Sequence, residues 1–224
     1  TGAEISVIQR DSVIGKDSSI NNPSGLTTNS GSEIVKSLKI GNIDFLNTFA
    51  LNTNMSGVSD LLPNFGGLIG QPIISKANWL IDYPKKTIEI SSNDLSDSKF
   101  ITLRLEKINN IPYTFVSVDG KEVKAIIDLG SSTEFTLTKE SELAKYLLSK
   151  YNFEDIERER SSIGASEKVF EKVANIPLVK LGEIEFEDVK VTIGDSKKIR
   201  IGISFFEDYQ ILIDNTNNSY KIKK

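Results

Sequence analysis

At 224 residues, 38% of them hydrophobic and 26% charged, the chain can bury a core and is not disordered by composition. A net charge of −4 without a basic stripe argues against a nucleic-acid partner, and no apolar run approaches the roughly 20 residues of a membrane helix. The chain has no Cys and no His, which excludes thiol proteases, Ser-His-Asp triads, disulfides and His-ligated zinc. Any hydrolytic chemistry therefore runs on carboxylates, Lys, Tyr or hydroxyls.

In chain order, residues 1–8 read as a turn into a short strand, and Asp11 to Ser32, rich in Ser, Asn, Thr and Gly, as a loop or hairpin. Ile34 to Thr53 alternates in period two around Gly41-Asn42, which predicts a hairpin. Gln71-Pro72 opens a short helix that ends before Trp79, since Pro suits the first helical position. Strands follow at Trp79–Asp82 and Thr87–Ile90, joined by a turn at Tyr83-Pro84-Lys85-Lys86. Ser91 to Lys99 is polar and poor in apolar residues, the composition of a linker.

Past the linker, strands are expected at Ile101–Lys107, Tyr113–Val118 and Lys121–Asp128, with a turn at Asp119-Gly120. The run Ala125-Ile126-Ile127 delivers the Asp128 carboxylate into the turn Leu129-Gly130-Ser131-Ser132, where Gly permits close backbone approach and Ser hydroxyls can reach the acid. By itself this is also what a strand ending in an Asx turn looks like. Thr138 is the expected N-cap of a helix to about Tyr151, with Glu140 and Glu142 in its first turn and Leu143, Tyr146, Leu147 and Lys150 forming its buried stripe. Glu154 to Arg160 reads as a solvated charged face, and Ser161 to Ser166 as a hairpin turn.

The chain contains the pattern twice. Leu68-Ile69-Gly70, Trp79-Leu80-Ile81-Asp82 and Thr87-Ile88-Glu89-Ile90 align without gaps on Arg200-Ile201-Gly202, Ile211-Leu212-Ile213-Asp214 and Ser219-Tyr220-Lys221-Ile222, offset by 132 residues (202 − 70, 214 − 82). Lys39-Ile40-Gly41 aligns on Lys180-Leu181-Gly182 at 141 (182 − 41), and Thr1-Gly2-Ala3 on Leu129-Gly130-Ser131, so the counterpart of Asp128 is the position before Thr1. About 28 residues, 101–128, have no counterpart ahead of Thr1, so either an upstream segment was removed or the first copy is genuinely reduced. Two copies of this size suggest a pseudo-twofold molecule rather than a solenoid.

An acid-Leu-Gly-Ser turn after an apolar strand, matched in the first copy by Thr1-Gly2-Ala3 without the acid, followed in both copies by a hydrophobic-hydrophobic-Gly segment and a short helix leading to a strand ending Ile-Asp, resembles the retropepsin-like and pepsin-like aspartic proteases, a bacterial member being one expectation. The resemblance covers nearly the whole chain and is strongest at 66–82, 125–132 and 198–214. It implies a mainly β fold of two pseudo-twofold-related, β-barrel-like lobes with a few short helices: 1–92, a linker at 93–100, and 101–224. It further implies an aspartic endopeptidase with Asp128 as one catalytic carboxylate. Thr1, Gly2, Ala3, Leu129, Gly130 and Ser131 would support the active-site turns, and flaps would lie at Gly25, Leu26 and Thr27 and at Ile163 and Gly164. The implied partner is a polypeptide in the groove between lobes of a monomer, with no metal and no cofactor. The compartment is open, an extracytoplasmic one being favoured.

Two departures from the family pattern leave a non-catalytic peptide-binding relative as the alternative. Leu129 lacks the usual hydroxyl, and Arg200 stands where an apolar residue is usual. An inward Arg200 would pair with Asp128 and oppose a shared-proton state, but an exposed Arg200 is the expectation, because Arg is seldom buried. Asp82 and Asp214, which recur at one repeat position, are read as turn formers at strand ends.

Overall fold

The structure, a computed structural model, describes residues 1–224 except 16, 22–26, 56, 57, 59–61, 63, 163 and 164. It is mainly β, and the described residues form three sheets. One has the order β2-β3-β4-β1-β5, with β1 at Ser6–Gln9, β2 at Ser18–Asn21, β3 at Thr27–Ile40, β4 at Ile43–Thr53 and β5 at Gly67–Leu68. The short helix α1, Gln71–Ile74, carries Pro at its start as expected and is followed by β6 (Asn78–Asp82) and β7 (Thr87–Ser91).

The second half supplies β8 (Ile101–Thr102), β9 (Leu105–Ile108), β10 (Ile111–Val118), β11 (Lys121–Ile127), β12 (Phe135–Thr138), α2 (Glu142–Lys150), β13 (Glu154–Ser162), β14 (Ala165–Leu181), β15 (Ile184–Gly194) and β16 (Arg200–Ile201). A 3-10 turn at Ile203–Phe206 leads to β17 (Gln210–Asp214) and β18 (Ser219–Lys223). The large sheet runs β13-β14-β15-β12-β16-β11-β10-β9 with β14 also paired to β10, and the third runs β7-β6-β17-β18-β8.

The sequence repeat is repeated in the pairing. β1 lies parallel to β4 and antiparallel to β5, and β12 lies parallel to β15 and antiparallel to β16. β4 and β15, 141 residues apart, show the same order of buried and exposed positions over all 11 residues. That match follows from shared binary patterning, because a strand with one covered face fixes its register by its apolar set. Gly41 and Gly182 open the two hairpin turns at φ +58° and +59°, a conformation that excludes most L-residues.

β6 and β17 join the halves. They pair antiparallel with Leu80 opposite Leu212, its own repeat counterpart, and with Trp79 opposite Ile213 and Ile81 opposite Ile211. The register is thus symmetric about the Leu80–Leu212 pair. A single buried cluster runs through this seam, including Phe45, Ile73 and Trp79 from the first half and Phe135, Leu137, Ile201 and Phe206 from the second. Phe45 stacks on Trp79 at 5.8 Å between centroids, and its counterpart Phe186 packs on Phe205 at 4.4 Å.

Three local expectations are corrected. The N-cap of α2 is Ser141, whose hydroxyl accepts from Ala144 N–H at 3.2 Å, rather than Thr138; the helix begins at Glu142, which leaves Glu140 outside it. Its buried stripe is Leu143, Ala144 and Leu147, while Lys150 is exposed and reaches Asp119 at 2.7 Å, because its charged head stays in solvent, where the carboxylate is also exposed. The charged run from Glu154 is only partly solvated: Asp155 and Glu157 pair with Lys172 and Lys168, but Arg158 reaches Glu171, which is buried.

The turn-forming acids make stability acid-sensitive. Burial of Asp214 raises its pKa, but hydrogen bonds from Lys221 and Asn217 outweigh that and leave it lowered. Asp82 is lowered in the same way, burial being outweighed by hydrogen bonds from Lys85 and Gln210. A folded-state pKa below the unfolded value contributes stability above the unfolded value and loses it as pH falls through the folded one. Chemical-denaturation midpoints should be flat near neutrality and fall below about pH 4, and Asp214→Asn should flatten that fall. An unchanged slope in the variant would contradict this account.

Candidate functional site

Asp128 is placed by backbone on both sides. Ala125, Ile126 and Ile127 are buried within β11, which is held between β10 and β16. The Asp128 N–H donates to the Ile201 carbonyl at 2.9 Å, and the Asp128 carbonyl accepts from Ser131 N–H at 3.0 Å, which closes the turn. The carboxylate emerges 22% exposed, with Oδ1 accepting from Gly130 N–H at 3.3 Å. Apolar strand residues anchor the chain, and the turn leaves the acid at the surface of the seam.

The first half meets it there. The Thr1 hydroxyl donates to the Ile127 carbonyl at 2.7 Å and accepts from Leu129 N–H at 2.9 Å, bridging the backbone on either side of Asp128. Gly2 lies directly against the acid: a Cβ there would come within 2.5 Å of the Asp128 Cγ, so any larger residue would push the carboxyl away. The Ala3 carbonyl accepts from Gln71 N–H at 3.0 Å, as its counterpart Ser131 accepts from Ile203 N–H at 2.8 Å. Gly70 and Gly202, before α1 and the 3-10 turn, each leave no space for a side chain against the turn in their own half, Gly70 at Ile5 and Gly202 at Thr133.

Thr1 has no hydroxyl opposite it, since Leu129 takes the equivalent position and packs against the buried core. Support of the two turns therefore runs in one direction by hydrogen bonds and in the other by packing. Thr1→Val should strand the Ile127 carbonyl and the Leu129 N–H, at a cost of about 1–3 kcal/mol. In a chain of this size that is a drop in Tm of about 2–4 °C per kcal/mol. Calorimetry showing no drop would mean that the bridge is not structural.

Arg200 corrects an expectation. It points inward: its side chain is 16% exposed and its Nη1 lies 3.4 Å from the Asp128 Oδ2. The cause is register, because β16 pairs with both β11 and β12, and Arg200, paired with Ile126, lies beside the C-terminal end of β11, which leads into Asp128. The Ser hydroxyls are a second correction. The Ser131 hydroxyl pairs with Thr133 at 2.9 Å, so Asp128 takes its hydrogen bonds from Gly130 and Arg200. Of the flap residues, Thr27 begins β3, paired with Asn21. Gly25, Leu26, Ile163 and Gly164 lie outside the described residues.

The other repeated acids are engaged locally. Asp82 accepts from Lys85 N–H at 3.0 Å, and Asp214 from Asn217 N–H at 2.9 Å, so both close turns after strands. Gln71 is a site residue that sequence reading passed over. It is buried, and its amide donates to the Thr1 carbonyl at 2.8 Å, holding the first turn from behind. The signal was a polar residue where the other copy has Ile203. Among the described residues no group of three or more acidic side chains is placed to hold a metal ion, and no helix is long and apolar enough to cross a membrane.

No family model matches the sequence, and none of the curated proteins does. In structure the chain is similar to a retropepsin-like aspartic protease from Rickettsia conorii, with a TM-score of 0.41 and 21% identity over 55% of this chain and 90% of that one.

Proposed function

We propose that the chain is an aspartic endopeptidase of two lobes, 1–92 and 101–224 joined by 93–100, which holds extended polypeptide in the groove between them and works as a monomer. The observation that carries this reading is the meeting of two repeat-related turns at one carboxylate: the Thr1 hydroxyl spans the backbone around Asp128 while Gly2 touches its side chain. The reading requires a second carboxylate from the first lobe to complete the pair with Asp128.

Two carboxyl groups within about 3 Å of each other cannot both ionise at modest pH, so such a pair shares a proton. The ionised member takes a proton from a bound water, which attacks the peptide carbonyl. The protonated member donates to the developing oxyanion; the member that took the water's proton then passes it to the leaving amine as the C–N bond breaks, and the collapsing gem-diol returns a proton to the pair. No covalent intermediate forms, in keeping with a chain lacking His and Cys. The test is cleavage of an unstructured protein such as casein across pH 3–7: acid-favoured cleavage supports the reading, and no cleavage at any pH rejects it.

A second reading is favoured by the Arg200–Asp128 contact and by Leu129: a catalytically silent relative that binds peptides in the same groove. It expects peptide affinity that persists in Asp128→Asn with no turnover in either form. Failure to bind any peptide would remove it.

A further inference from the structure

Three repeat positions carry a polar residue in one copy and an aliphatic one in the other: Thr1 aligns on Leu129, Gln71 on Ile203 and Tyr220 on Ile88. Aliphatic side chains therefore fit the repeat at all three places, and filling space does not call for the polar set. Gln71 and Tyr220 are only 5% and 1% exposed, where an amide or hydroxyl without a partner is destabilising.

The three polar residues are joined to one another. The Gln71 amide donates to the Thr1 carbonyl at 2.8 Å and also hydrogen-bonds the Tyr220 hydroxyl. The Thr1 hydroxyl then spans the Ile127 carbonyl at 2.7 Å and the Leu129 N–H at 2.9 Å, the backbone groups on either side of Asp128. Tyr220 is fixed by its own strand: it lies in β18 opposite Ile213 on β17, and its carbonyl accepts from Leu103 N–H at 2.8 Å. Burial pushes its phenol pKa up, so the hydroxyl stays uncharged. The line thus leaves the second half at β18, crosses the first half at α1, and returns to the second half at the turn that carries Asp128. In the reciprocal direction, Ile203 keeps its backbone bond to Ser131 but has no side-chain donor to offer the Leu129 carbonyl.

We infer that Gln71 and Tyr220 are positioning residues for the reaction at Asp128, forming one hydrogen-bonded line that sets the first turn against the Asp128 backbone. This rests on the endopeptidase reading. Both act through Thr1 rather than on the carboxylate itself, and directional bonds anchored on a sheet strand hold Thr1 more narrowly than apolar packing does. A misplacement of about 1 Å at a reacting group costs about 10²-fold in rate, so slack in this line is read in kcat rather than in substrate binding.

The test compares Gln71→Ile, which installs the residue of the other copy, with Tyr220→Phe and the double variant. In Gln71→Ile, kcat on labelled casein should fall at least about tenfold with KM within about twofold. Tyr220→Phe should lower kcat by about threefold, and the double variant should match Gln71→Ile alone, because both changes cut the same line. Its Tm should exceed that of Gln71→Ile, since the stranded hydroxyl leaves with its partner; a pair with a structural role only would regain rate along with stability. Amide exchange by NMR reads the line without turnover: in Gln71→Ile, exchange at Leu129 should quicken at least about fivefold more than at Val191 in the core of β15. The inference is overturned if a parent that cleaves keeps its kcat in Gln71→Ile, if the two losses multiply or kcat recovers with Tm in the double variant, or if exchange at Leu129 moves no more than at Val191. A parent that cleaves nothing rejects the endopeptidase reading instead, and the Leu129 exchange alone then decides whether the line holds the turn.

Discussion

Asp128→Asn is expected to abolish cleavage, lowering kcat by about 10²–10⁴-fold while leaving the protein folded. The size follows from the role: an amide neither takes a proton from water nor passes one to a leaving amine. The fold should survive because the side chain is 22% exposed, its hydrogen bond from Gly130 is one an amide oxygen also accepts, and the neighbouring turn is held by Thr1 through backbone atoms. Circular dichroism and Tm close to the parent, together with loss of turnover on an unstructured substrate, is the expected pair of results. Undiminished cleavage by the variant would remove Asp128 from the mechanism.

Arg200→Leu is expected to raise cleavage by about tenfold while leaving the protein folded. The guanidinium donates to the Asp128 Oδ2 at 3.4 Å, and a carboxylate oxygen engaged by an Arg is less available to take a proton from a bound water. With both side chains partly exposed, solvent screening keeps the effect modest. Leu is the apt replacement because its counterpart in the first half is Leu68. Turnover that does not change would show that Arg200 has no hold on the reacting groups, and a loss of activity would recast it as a group that binds substrate.

Much of the architecture was legible in the residues because repetition is a stronger signal than local propensity. The offsets of 132 and 141 match β6 with β17 and β4 with β15, and the β6–β17 register is centred on Leu80 and Leu212, which are 132 apart. The caps were less legible. Thr138 and Ser141 are both good N-caps by chemistry, and what decided for Ser141 was where β12 ends, with the Thr138 carbonyl accepting from the Ser141 hydroxyl at 2.9 Å. Lys150 was read as buried from spacing alone, but helix periodicity gives a face and says nothing of how far the covering sheet extends.

By itself, the order of residues determined the duplicated β pattern, the exclusion of thiol and imidazole chemistry, and the acid at the end of an apolar strand, because each depends on neighbours along the chain. Only the tertiary structure decided which way Arg200 points and that Gln71 braces Thr1. Those outcomes depend on contacts between residues as many as 72 positions apart, fixed by how sheets pair and close, and no period or local preference encodes them.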